Sequence, residues 1–194
     1  MLDNDKNDKI DNIYTLIKEI SKISTVIGGI LLLFMSGFIG VEIIIRKYFS
    51  LSLSGAEELS GYTLAIVSIW AFSYTFLQKG HIRIDILYQK LSQSFRHILD
   101  LLSVLMIIIF VYPTTYFSYR TLQMSIIRSS KADTPLQTPL WIPQLFWFLG
   151  TVFFAIMATV TLVKLIRYLL KKNFHAATVL SGCAIVDEEI KKVN

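Results

Sequence analysis

Few residues in this chain have the types and spacing that chemistry needs. Glu42 is followed four positions later by Arg46, and Glu57 and Glu58 are adjacent. His81, Arg83 and Asp85 alternate with isoleucines, and the other histidines are His97 and His175. A carboxylate buried in a membrane span is a candidate ion or proton carrier. Glu42 also has a plainer use, an i,i+4 ion pair with Arg46. Two carboxylates opening a helix suit the positive end of its dipole, and contact with a partner protein is the functional alternative for Glu57 and Glu58. A membrane haem needs histidines on facing helices within the spans. All three histidines fall outside the apolar runs and read as interfacial polar residues. No glycine-rich phosphate loop follows a strand, and no Ser–His–Asp set can be placed. The reading is a non-enzyme without cofactor or metal. Cys183 is the single cysteine, so no internal disulfide forms.

The elements that must carry these residues follow from where charge is missing. Residues 23–45 contain only Glu42 as a charge, and residues 59–78, 101–119 and 134–163 contain none. A bilayer core about 30 Å thick is crossed by about 20 apolar residues of helix. None of the four runs alternates with the period of a barrel strand, so helix is the solution that satisfies the backbone in lipid. A soluble bundle would show a polar stripe every three or four residues. Ile30–Phe34 and Leu101–Val111 show none. The expected fold is all-α and integral to the membrane, with helices over about 23–45, 59–78, 99–119 and 142–163. Residues 1–22 form a charged amphipathic lead and 164–194 a basic tail. The first run is too long, and its flank too acidic, for a secretory signal.

Charge sets the orientation. The lead, the loop after the second helix and the tail together hold fourteen of the nineteen basic residues. The positive-inside rule therefore places both termini in the cytoplasm. The net charge of +5 reports topology and contact with anionic membrane lipids, not nucleic acid.

Ile10, Ile13, Ile17, Ile20 and Ile23 recur at helical spacing among charges, which predicts an interfacial helix ahead of the first span. Leu87, Leu91, Phe95 and Ile98 predict a second one over 85–98. Gly29, Ser36 and Gly40 give the first span a small face, and Gly61, Ala65 and Ser68 give the second one. Small faces let helices approach closely in lipid, either each other or a partner subunit. Pro113 sits inside the third span, where proline usually kinks the helix. Pro135, Pro139 and Pro143 break the chain before the fourth, with Trp141 and Trp147 at its entry.

Taken in order, these pieces resemble the small membrane (Q) subunit of tripartite ATP-independent periplasmic (TRAP) transporters. Glu57-Glu58-Leu59-Ser60-Gly61-Tyr62 is similar to the family's acidic opening of the second helix, and Trp70 stands where the family has tryptophan. Gly80-His81-Ile82-Arg83-Ile84-Asp85 resembles its glycine–histidine–basic–acidic signature. Thr138-Pro139-Leu140-Trp141-Ile142-Pro143-Gln144 resembles its entry to the fourth helix. The resemblance implies a multi-pass protein of the bacterial inner membrane. Its implied partners are a large multi-helix membrane subunit, which holds the substrate and sodium sites, and a periplasmic substrate-binding protein. It implies import of an organic acid, of the sialic acid or C4-dicarboxylate type, with this chain extending and anchoring a stationary scaffold. The long lead and tail depart from the pattern. The competing reading is a self-sufficient four-helix proton-coupled transporter using Glu42.

Overall fold

In a computed structural model the described residues are 2–51, 55–78, 92–171, 176, 177 and 180. They form four helices: α1 Leu2–Phe49, α2 Ala56–Leu77, α3 Gln93–Ile127 and α4 Trp141–Leu170. Each contains a stretch long and apolar enough to cross a membrane. The helices are longer than the apolar runs because their flanks are helix-competent too. The lead is not a separate interfacial helix but continues into the first span without a break. Residues 20–25 contain no glycine or proline, and the Ser24 and Thr25 hydroxyls fold back onto the carbonyls of Ile20 and Ser21. Likewise, residues 93–98 of the second expected interfacial helix are the first turns of α3. The rest of that segment lies outside the described residues.

The helices pack in the order α1, α2, α4, α3. Helix α1 lies against α2, α2 against α4 and α4 against α3, with a smaller α1–α4 contact. Helix α4 is accordingly the most buried, and α1 and α3 each leave a broad apolar face to the surroundings. Leu33 and Phe34 on α1, and Ile109, Phe110 and Phe117 on α3, are all more than 60% exposed. In water such faces would be costly, whereas in lipid they are neutral.

Two glycines set the helix spacing. A Cβ on Gly28 would stand 2.6 Å from Val67 Cγ1, so α1 and α2 meet there. A Cβ on Gly150 would stand 2.5 Å from Ile69 Cγ2 and 2.9 Å from Trp70 Nε1, so α2 and α4 meet there. The small faces singled out in the sequence are not these contacts. Gly29, Gly40 and Gly61 face open space.

Between α3 and α4 an apolar seam, with Val104 and Val111 against residues such as Phe154 and Met157, also carries hydroxyl contacts. Ser118 Oγ lies 3.1 Å from Thr151 Oγ1, and Tyr112 OH 3.0 Å from Thr159 Oγ1. Pro113 is accommodated within a continuous α3. Threonines beside it, Thr114 and Thr115, donate back to the carbonyls of Phe110 and Val111, one of the ways a membrane helix tolerates proline. The core at the terminal end joins Ile17 of α1, Val104 of α3, Leu165 of α4 and Ala177 of the tail. A part of the tail thus returns to the bundle.

Candidate functional site

Of the groups singled out in the sequence, Glu42, Arg46, Glu57, Glu58, Trp141 and Pro143 lie towards the end of the bundle away from the N-terminus. Glu42 is buried near the end of α1, and Arg46 Nη2 donates to its Oε1 one helical turn on. The same nitrogen lies 3.6 Å from Glu57 Oε1 on α2, whose side chain is 86% exposed. One guanidinium therefore faces a carboxylate from each of two helices. The i,i+4 pair expected from the sequence is present, and it has a cross-helix member that spacing could not reveal.

Glu57 and Glu58, adjacent in sequence, diverge in the fold. Gly55 precedes them with φ +101°, a left-handed conformation that glycine adopts at little cost. Helix α2 starts there, with both carboxylates in its first turn. Glu57 points outward. Glu58 accepts bonds from Tyr62 OH at 2.9 Å and from Thr134 Oγ1, a residue of the α3–α4 loop. Leu136 of that loop packs so closely on Gly55 that a Cβ there would overlap it.

The loop itself is pinned across its base. The Leu140 N–H donates to the Ser130 carbonyl and the Ala132 N–H to the Thr138 carbonyl, both at 3.0 Å. Its prolines shape this, and Pro143 takes the third position of α4, in the first turn, where its missing N–H breaks no intrahelical bond. Trp141 is the first residue of α4 and lines an open cavity of about 450 Å³ with Ile126, Lys131 and Pro139. Lower in the bundle, Trp70 donates its indole N–H to the Phe146 carbonyl at 3.2 Å and stacks on Phe153 at 5.4 Å between centroids. The candidate tryptophan is therefore a clasp between α2 and α4.

His81, Arg83 and Asp85 lie outside the described residues, as does His175. His97 is a buried side chain in the second turn of α3. The helix begins at Gln93, earlier than the apolar run suggests, and carries His97 inside.

Among the described residues one buried cation was not singled out in the sequence. Lys164, counted with the basic tail, is 8% exposed on α4. Its Nζ lies 2.7 Å from Asp11 Oδ1 and 4.1 Å from the centroid of the Tyr14 ring. One turn of α1 thus supplies both a carboxylate and an aromatic face to it. The available signal was Lys164 ending a run of thirty uncharged residues, three positions before Arg167.

Among the described residues, no group of three or more metal-ligating side chains comes together. The ionisable groups that are placed hold helices and loops to one another. That arrangement defines a multi-pass membrane subunit tied together at both ends. Residues 21–168 match the family model described as tripartite ATP-independent periplasmic transporters, DctQ component, and the chain belongs to that family. It is the small membrane component of a TRAP transporter, a non-enzymatic part of an inner-membrane system that also comprises a DctM component and a periplasmic binding component. No curated protein matches the chain.

Proposed function

We propose that the chain is the non-catalytic scaffold subunit of a sodium-coupled importer of organic acids, of the sialic acid or C4-dicarboxylate type. On this reading both termini are cytoplasmic, and the chain widens and anchors the stationary part of the large membrane subunit. The observation that carries the reading is the open row of helices. A chain transporting on its own needs a site enclosed between helices near the midplane, usually with broken helix pairs. Here α1 and α3 each keep a broad unpacked face, and the buried carboxylate of α1 is engaged by Arg46 near the helix end. Glu57, exposed beside Arg46, is the group suited to meet the binding protein on the outer side. Arg83 and Asp85, with His81, are proposed to pack at the cytoplasmic surface.

Co-expression with the large subunit tests this. A stable one-to-one complex is expected, with sodium-driven uptake in liposomes only when both membrane subunits and the binding protein are present. Substrate flux from this chain alone, abolished by Glu42→Gln, would replace the scaffold reading with the self-sufficient transporter. Alanine at Arg83 or Asp85 should lower complex yield more than substrate affinity.

A further inference from the structure

At the end of α3 away from the N-terminus an open groove of about 490 Å³ runs along the helix surface. Tyr116, Phe117, Arg120, Thr121, Met124 and Arg128 line it, and no carboxylate does. Arg120 touches the Tyr116 hydroxyl, a neutral group, at 3.4 Å. Among the described residues neither arginine forms an ion pair. The acids of this end are engaged elsewhere, Glu42 and Glu57 with Arg46, and Glu58 with Thr134 and Tyr62. Asp133 of the α3–α4 loop does not line the groove, and residues 52–54, between α1 and α2 in sequence, are uncharged. Arg128 directly follows the last residue of α3, where the helix dipole offsets at most about half a charge. The groove therefore keeps a positive charge that the described chain does not cancel.

Both guanidiniums serve one space. Eight residues of helix separate them by about 12 Å along the axis, yet both side chains line the same groove. The same face continues as an apolar strip. Phe110, Phe117, Thr121, Met124 and Arg128 step by seven, four, three and four residues, which keeps them on one side of a helix. Phe110 is 68% exposed and Phe117 65%, so the described chain leaves the strip open. The uncharged run of α3 ends at Tyr119, and tyrosines such as Tyr116 and Tyr119 favour the headgroup level of a bilayer. Arg120 thus stands where a membrane begins to present phosphates. The planar fork of a guanidinium matches phosphate oxygens, and the Tyr116 hydroxyl adds a donor.

We propose that this groove binds the headgroup of an anionic phospholipid, its phosphate between Arg120 and Arg128 and an acyl chain along Phe117 and Phe110. A soluble anion or an acidic protein surface would use the cations alone. A lipid uses the cations and the apolar strip together, and the two are continuous on one face of α3. The leaflet that supplies it follows from the cytoplasmic placement of the termini, whereas binding measured in detergent does not depend on that reading.

Native mass spectrometry of the full-length chain in mild detergent tests it, with cardiolipin, phosphatidylglycerol or phosphatidylcholine of matched acyl chains added. The wild type should retain the two anionic lipids in preference to phosphatidylcholine. Arg120→Gln with Arg128→Gln should weaken that retention by about tenfold, the order expected from two cations near an anionic headgroup. Arg128→Gln alone should weaken it severalfold. Lys47→Gln removes one cation from the same end of the bundle, on α1, and should leave retention unchanged. Inorganic phosphate at millimolar concentration should not displace the lipid. Equal loss from Arg128→Gln and Lys47→Gln would show diffuse attraction and overturn the site. Displacement by inorganic phosphate would overturn it in favour of a free-anion site. Absence of headgroup selectivity in the wild type would overturn the proposal whether or not the variants fold. If the double variant then also lost capture of the large subunit or the binding protein, the arginines would belong to a protein interface instead.

Discussion

Lys164 of α4 is held at 2.7 Å by Asp11 of α1, two residues 153 positions apart that join the first and last helices. The lysine is buried and the aspartate about half exposed. The lysine also sits over the Tyr14 ring, a cation–π contact that strengthens when desolvated.

Removing one member of this pair should cost more than removing both. Asp11→Ala strands a buried ammonium, for a loss of about 1–2 kcal/mol after allowing for the exposure of the aspartate. Asp11→Ala with Lys164→Met should recover part of it. Thermal unfolding in detergent, read as a double-mutant cycle, measures the coupling, and additive losses would exclude it.

Gly150 should resist enlargement. A valine there drives a methyl group into Ile69 and the Trp70 indole. Overpacking of this kind costs about 1–3 kcal/mol. Trp70 should lose its bond to the Phe146 carbonyl as α2 and α4 separate, which a red-shifted tryptophan emission would report. Gly29→Ala, in open space, should leave the emission unchanged and should not lower the unfolding midpoint.

Gly55→Ala is expected to fail for two separable reasons, its left-handed backbone and its overlap with Leu136. Pairing it with Leu136→Ala removes the overlap alone. Partial recovery of resistance to proteolysis in the α3–α4 loop is expected. Full recovery would mean that the backbone conformation is unimportant.

The adjacent glutamates should behave differently. Glu58→Ala unties Thr134 and Tyr62 and should lower the unfolding midpoint and the resistance of the α3–α4 loop to proteolysis. Glu57→Ala loses only an exposed 3.6 Å contact with Arg46 and should cost under about 1 kcal/mol. If Glu57 meets the binding protein, its charge reversal impairs uptake while leaving stability intact.

The membrane character and the helix count were legible because absence of charge over twenty residues is a local property. The Glu42–Arg46 pair was legible for the same reason, since i,i+4 spacing fixes proximity within a helix. What joins different helices was not. Gly28 and Gly29 are equivalent in sequence, and only the rotation of α1 against α2 decides which one packs. Glu57 and Glu58 likewise part only because the start of α2 at Gly55 sets which of them meets the loop. Helix ends were misjudged where polar residues such as Lys18 and His97 still favour helix. Apolar length bounds the crossing, not the element.

The unbroken α1 has a mechanical consequence. Its 48 residues make a rod of about 70 Å, roughly twice the thickness of the hydrocarbon core. A change of tilt within the bilayer is carried to its far end as a swing, because no hinge absorbs it. A spectroscopic probe near Ile10 would therefore act as a pointer, reading out small reorientations of the first span as displacements of several ångströms on the order of the pitch of one turn.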